Sequence, residues 1–399
     1  KAMHYRARAG FTNTAPLDPY SGAGRPEGSF QIERIVEKAA RDLGFDPIEL
    51  RRQNIMPKAS LPLKTAMGLD VDCGDFLTVF EKTLAMSERA GFAARAAKSE
   101  ENNKLRGFAI APYLECTGGM PKEHAIVTFS KNGAAHLAVG SHSTGMGHET
   151  ALCQILSAEL GLDMDHISFT QADTDATPLG GGHGGSRGME LGGNAVRQTA
   201  DEIVAVGKQI AAYQFECEVG VVDFEDGSFF QPGSNNTMSV GEAVSASFNP
   251  DALPDDLAPG CLNIGSTFER GVISIPNGCH AAEVEVDPDT GVIDVIGFWI
   301  VDDFGTIINP LLADGQVMGG VGQGLGQAIL EQAVYDGDSG QLVTGTFLDY
   351  AMPRADDMPH MTLDYYEGSP TEKNPLGVKG AGEAGCCGAP PAIVNAVLD

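Results

Sequence analysis

The sequence predicts an α+β fold: mixed sheets whose strands run as hairpins, with helices packed against them. Three observations lead there. Strand-like stretches come in pairs joined by tight turns, as in "HAIVTFSKNGAAHLAVG" around Asn132 and Gly133. Amphipathic helices intervene, but without the strict strand–helix alternation of a doubly wound parallel sheet. Glycine, 51 of 399 residues, falls in bursts with no fixed period, which excludes collagen-like and repeat architectures.

Taken in order, "SFQIERIVEKAARDLG" reads as a helix with Ile32, Ile35, Val36, Ala39, Ala40 and Leu43 on one apolar face, stopped by Gly44. "FDPIELRRQN" restarts a short helix, with Asp46 as cap and Pro47 in its first turn. "MPKASLPLKTAMG" is an irregular connector. Asp75 caps the helix "FLTVFEKTLAMSERA", and "FAARAAKSEENNK" reads as a solvated helix end or linker. "RGFAIAPYLE" and the hairpin above are strands. The helix "ETALCQILSAELG", the strand "HISFTQAD" and one long helix from "ELGGNAVRQ" to Phe215 follow. The second half repeats the mixture. "HAAEVEVDPDTGVIDVIGFWIV" is a hairpin, "ADGQVMGGVGQGLGQAIL" a helix and "MTLDYYE" a strand. The glycines at 320, 322, 324 and 326 in that helix suit close packing against a neighbour.

Composition removes several function classes. A formal net charge of -28 repels phosphate backbones and argues against nucleic-acid binding. No apolar run is long enough for a membrane span, and the N-terminus carries no apolar leader, so a cytoplasmic location is expected, with the periplasm as the alternative. Eight cysteines occur without any Cys-x-x-Cys spacing, so iron–sulfur and zinc motifs are missing and reduced, mostly buried thiols are expected. His142 and His148 flank a glycine turn but lack a third metal ligand nearby.

The bursts lie near residues 118, 144, 178, 319 and 377. They suit backbone approaching a bulky, phosphate-bearing cofactor from several directions, because N–H groups reach such a ligand only where side chains are absent. One burst, "VKGAGEAG" from Val378 to Gly385, matches the dinucleotide pattern G-x-G-x-x-G. A Rossmann reading needs a preceding strand, a following helix and a later acid. Here the preceding segment is polar and proline-rich. A helix is expected only from Pro390 or Pro391, and no room is left for the acid. The loop instead offers Glu383, which is either an unshielded carboxylate aimed at a reacting centre or an ordinary surface glutamate. Cys386 and Cys387 beside it read as packing.

Together, "PYSGAGRPEGSF…LRRQN", "STGMGHET", "ADTDATPLGGGHGGSR", "VDDFGTIINP", "GQVMGGVGQGLGQA" and "VKGAGEAGCCGAPPAIVNAVLD" resemble, in order and over nearly the whole chain, the molybdenum hydroxylases. These comprise xanthine dehydrogenases, aldehyde oxidases and carbon monoxide dehydrogenases, and the similarity is to their molybdopterin-binding large subunit. The resemblance implies a molybdopterin-binding fold of aldehyde oxidase/xanthine dehydrogenase type. Residues 1–57 would end a first molybdopterin-binding domain and 58–399 would form a second. It implies a molybdenum–molybdopterin cofactor, in bacteria often the cytosine dinucleotide form, with the metal held by the pterin dithiolene and not by protein ligands. Glu383 matches the family's catalytic base, which takes a proton from metal-bound hydroxide while hydride passes to the metal centre. Gln316 matches the pterin-contacting glutamine. Gly145, Met146, Gly147 and His148, then Gly184, Gly185, Ser186 and Arg187, and Gly382 match cofactor loops. Arg52 resembles a cofactor-side arginine or, alternatively, a helix-capping ion pair. Ser21 and Ala23 fall in the substrate-facing loop.

Three departures narrow the implied function. Met146 stands where the family commonly has glutamine. Ser21 stands in a loop that often carries cysteine or arginine, which turns the expectation from carbon monoxide and purines toward an aldehyde or N-heteroaromatic. A further N-terminal half is expected on a separate molybdopterin-domain chain, with iron–sulfur and flavin (FAD) subunits as further partners. The alternative is an impaired or fragmentary relative serving as a structural or assembly subunit.

Overall fold

The computed structural model describes residues 3–399. In chain order the helices and strands are α1 (Arg25–Leu43), α2 (Pro47–Asn54), β1 (Leu63–Lys64), β2 (Asp70–Val71), α3 (Phe76–Met86), α4 (Phe92–Glu101), β3 (Leu105–Leu114), β4 (Lys122–Phe129) and β5 (Ala135–Val139). There follow α5 (His148–Leu160), β6 (Ile167–Gln171), α6 (Asn194–Phe215), β7 (Asp223–Glu225), β8 (Ser228–Phe230), β9 (Thr237–Ser239), α7 (Val240–Ser247) and β10 (Ile264–Glu269). The last are β11 (Asn277–Val286), β12 (Ile293–Asp303), α8 (Pro310–Leu325), β13 (Met361–Tyr365) and α9 (Ala384–Val397). Residues 1–117, 274–371 and 379–399 form one compact unit; 118–273 and 372–378 form a second. Residues 1–57 therefore share a unit with β3, β11, β12, α8 and α9.

The first unit is built on a four-stranded sheet in the order β13-β12-β11-β3. β11 pairs antiparallel with β12 and β3, as the hairpin reading predicts, and β13 joins β12 in parallel. Both faces are covered, so these strands read as nearly continuous apolar runs. Ala109, Ala111, Tyr113, Phe298 and Ile300 face the core shared with Val317 and Val321 of α8 and Ala389, Ala392 and Ile393 of α9. The alternate residues Phe108, Ile110, Cys279, Ala281 and Val301 face Val79, Phe80 and Leu84 of α3. Asp46 and Asp75 cap α2 and α3 as expected, accepting from the Ile48 N–H at 2.7 Å and the Thr78 N–H at 3.3 Å. The run from Phe92, expected to be a solvated end or linker, forms α4 and buries Ser99.

Three points about helices differ from expectation or sharpen it. In α1 the expected apolar face is only partly buried: Ala40 is buried and Val36 and Ala39 are half-buried, but Ile32, Ile35 and Leu43 are 58%, 66% and 68% exposed, while Glu33 and Glu37 are buried. The burial of the two glutamates has an electrostatic cause. Arg51 of α2, itself buried, sits 2.7 Å from Glu33 and 2.9 Å from Glu37, so the carboxylate face can leave water. Second, α9 begins at Ala384, directly after Glu383, with Pro390 and Pro391 inside it, and not at the prolines. The missing proline N–H groups are tolerated because the helix is buried almost throughout, held by tertiary packing. Third, the α8 glycines do allow close approach. A Cβ on Gly320 would lie 2.9 Å from the Gly385 Cα, and one on Gly324 would lie 2.7 Å from the Ala389 Cβ.

The second unit carries a sheet in the order β10-β4-β5-β6. β4 and β5 form the hairpin read at Asn132-Gly133, and β6 runs parallel to β5. A π-helical turn over Gly188–Gly193 leads into α6, so the long helix expected from Glu190 is continuous but opens with wide backbone spacing. A small three-stranded sheet, β7-β8-β9, completes this unit.

Candidate cofactor and active site

Glu383 occupies the N-cap position of α9 but does not cap it; its side chain accepts no bond from the helix's first turn. Its Oε1 instead accepts the backbone N–H of Gly22 at 2.9 Å. Gly22 has φ +96, and a Cβ there would meet the Pro26 ring at 2.4 Å, so only glycine brings that N–H so close. The flanking Ser21 is half-buried and Ala23 is exposed, with a left-handed backbone at φ +45. Arg25 ties the same turn down, donating to the Gly22 carbonyl at 3.2 Å and the Cys116 carbonyl at 2.6 Å. Gln316 donates its amide to the Gly382 carbonyl at 2.6 Å. The first unit thus gathers Glu383, Gly382, Gln316 and the Ser21–Ala23 turn.

Behind the carboxylate, Cys386 and Cys387 are buried. Burial first, then the surrounding carboxylates, push the Cys386 thiol up to about 12, and burial pushes Cys387 up as well. Both stay protonated and pack the helix start, as read from the sequence. Arg52 is not part of this group. It binds Glu81 and Glu49, with Glu81 the first cause of its raised pKa. These are the ion pairs of the alternative reading.

In the second unit the loop Gly145–Gly147 precedes α5. Gly145 has φ +120 with open space where a Cβ would stand, and Gly147 has φ +71 and gives α5 no side-chain cap. The first-turn N–H groups of α5 and the positive end of its dipole therefore follow a loop that bares its backbone at Gly145 and Gly147, with Glu149 in the helix's first turn. The Met146 sulfur accepts the Thr144 hydroxyl at 3.5 Å. His148 is buried, its Nδ1 has no hydrogen-bond partner, and a Cβ on Gly188 would come within 2.5 Å of its Nε2. Gly184 and Gly185 lie on the next loop, where Gly118 donates its N–H to the Gly185 carbonyl at 2.7 Å. Ser186 is buried with φ +60. Arg187 is fully buried on Glu123 at 2.7 Å and also donates to the carbonyls of Met120, Lys122 and Gly182. Its guanidinium is spent on shaping the loop, so only the backbone around it remains for a ligand.

Sequence reasoning missed Glu123, Lys379 and Asp303. The signal for the last two was a lone lysine in an otherwise small-residue loop and an Asp pair closing a strand. Among the described residues no group of three or more His, Cys, Asp or Glu is placed to hold a metal ion.

Burial, largest first, then His183 and His142, lower the His148 pKa from 6.5 to about 4. The unfolded chain therefore takes up this proton from pH 6.5 downward and the folded chain only near 4. Falling pH costs the fold about 3 kcal/mol at this site across that window. Denaturant titrations at stepped pH will show a shallower stability loss between these values in His148→Phe than in the wild type. Equal slopes would contradict the assignment.

Against this geometry stand the comparisons with known proteins. Residues 85–359 match a family described as a molybdopterin cofactor-binding domain, and residues 1–55 match a second model with the same description. The chain belongs to the molybdopterin cofactor-binding family. It is 31% identical over 412 residues to the nicotine 6-hydroxylase large subunit of Paenarthrobacter nicotinovorans, covering 100% of this chain and 50% of that protein. It is 30% identical over 414 residues to the carbon monoxide dehydrogenase large chain of Hydrogenophaga pseudoflava, covering 99% and 51%. Among solved structures, quinoline 2-oxidoreductase from Pseudomonas putida 86 matches with a TM-score of 0.88 and 31% identity over 95% of this chain and 49% of that one. The chain thus spans about half the length of the curated relatives it matches.

The residues present fit a molybdopterin. The uncapped start of α5 and the loop ahead of it offer N–H donors to a phosphate, and the unpartnered His148 Nδ1 lies in the same turn. Met146 takes nothing from that backbone surface.

Proposed function

We propose that this chain is the molybdopterin-binding catalytic chain of a multi-subunit oxidoreductase that places a water-derived oxygen on the carbon of an aldehyde or N-heteroaromatic. The observation that carries the reading is Glu383: a half-buried carboxylate at a helix start, behind three residues with no side chain larger than a methyl, held by a backbone N–H. When bound, the cofactor supplies the two-electron acceptor and activates the oxygen. Glu383 accepts the proton released as that oxygen attacks, and the Gly22 N–H orients its carboxylate through Oε1. Gly145–His148 and Gly184–Ser186 contact the cofactor through backbone; Gln316 orders the Glu383 loop and contacts the pterin. Ser21 and Ala23 face the substrate, and their small size leaves room for a ring.

The cofactor is proposed in its cytosine dinucleotide form, with iron–sulfur and flavin groups on partner chains. Residues 1–57 are proposed to complete a first molybdopterin-binding domain whose remainder covers the exposed Ile32, Ile35 and Leu43. Residues 58–399 form the second domain. A cytoplasmic location suits the eight free cysteines. No helix among the described residues is long and apolar enough to cross a membrane.

The test is turnover of the assembled protein on a panel of aldehydes and N-heteroaromatics, in isotopically labelled water with an artificial electron acceptor. A hydroxylated product carrying the solvent label is expected. Product oxygen drawn from dioxygen, or no turnover with cofactor present, would overturn the reading.

A further inference from the structure

We infer that the buried Lys379–Asp303 ion pair is the positioning element of the Glu383 loop, an inference that rests on Glu383 being the base. Between Lys379 and Glu383 lie only Gly380, Ala381 and Gly382, which have no side chains long enough to anchor themselves. The place of the carboxylate is therefore set from outside. The C-terminal end is fixed because Glu383 opens α9, which is packed against α8 and the sheet. The other end is fixed by Lys379. Its N–H donates to the Phe304 carbonyl at 2.8 Å, and its Nζ meets both Asp303 oxygens at 2.9 and 2.8 Å, with both side chains 0% exposed. Asp303, at the end of β12, also accepts from Asn277 Nδ2 at 3.2 Å and the Gly305 N–H at 3.0 Å. Between these ends, Gly380 donates to Thr117 Oγ1 at 3.0 Å and Gly382 accepts from Gln316.

A buried ion pair is a poor way to add stability, because desolvation of both charges offsets their attraction, but it admits few alternative geometries. Here it selects one register for a segment that glycine would otherwise leave free. Lys379 and Asp303 do not touch substrate; they act through the loop.

The experiment is the double variant Lys379→Met with Asp303→Asn, which removes both charges together and leaves no orphaned ion. In the assembled protein, amide hydrogen exchange is followed by peptide and steady-state kinetics are measured alongside. The Lys379 and Gly380 amides are expected to exchange at least about tenfold faster while the rest of the unit keeps its protection. Over the same comparison kcat falls roughly ten- to a hundredfold at little-changed KM. Unchanged exchange in this segment, or acceleration spread evenly over the unit, would overturn the inference. Should the double variant fail to fold, Asp303→Glu, which keeps both charges but changes the reach of the pair, is read in the same way. Glu383→Gln separates the two claims: retained turnover there sinks the base assignment, while the exchange result still decides the anchor.

Discussion

With Glu383 changed to Gln, the assembled protein is expected to keep its molybdenum and pterin while turnover falls by roughly a hundred- to ten-thousandfold. The amide has the shape of the carboxylate, and its oxygen can still accept the Gly22 N–H now bound by Oε1. Loop and helix start are therefore preserved, and what disappears is the ability to take up a proton. Because that interaction matters only in the transition state, kcat and kcat/KM should fall together and KM should stay near its wild-type value. Stopped-flow reduction of the enzyme by substrate isolates the step. Wild-type reduction rates in the variant would mean that Glu383 is not the base.

The second large effect is structural. Arg187→Met should destabilise the protein by about 3–5 kcal/mol, because it leaves the Glu123 carboxylate buried without its counter-charge. Both side chains are 0% exposed, and Glu123 also accepts from the Ser141 hydroxyl at 3.1 Å and the Gly181 N–H at 3.4 Å. Adding Glu123→Gln should restore much of the loss, since no ion is then stranded. Denaturant unfolding of the single and double variants measures both numbers. A single-variant loss below about 1 kcal/mol would place the pair with solvent-screened surface bridges.

Much of this fold was legible because its signals are local. The Asp46 and Asp75 caps, the hairpins at Asn132-Gly133 and between β11 and β12, and the glycine face of α8 each follow from a few neighbouring residues. What was not legible depends on partners far along the chain. Periodicity puts Ile32 and Ile35 on one face of α1, but only Arg51 lets Glu33 and Glu37 be buried. The start of α9 was hidden for a related reason. Two prolines read locally as a barrier, and the packing that overrides them comes from α8 and the sheet.

The candidate site divides in the same way. Glu383, Gly382 and Gln316 were found by motif, and the structure brings them together. Arg187 was singled out as a ligand contact, yet its chemistry is turned inward on Glu123, a residue with no sequence mark of its own. The Glu81 partner of Arg52 lies 29 residues along the chain, out of reach of any local pattern. Lys379 and Asp303 lie far apart in sequence, and only the fold shows that the lysine holds the loop.

The central claim, that these glycine loops serve a molybdopterin and expose Glu383 to it, is tested most directly by metal and pterin analysis of the protein purified with its partner chains. The account predicts stoichiometric molybdenum and release of a pterin nucleotide on denaturation. A correctly assembled, fully folded complex containing neither would contradict it.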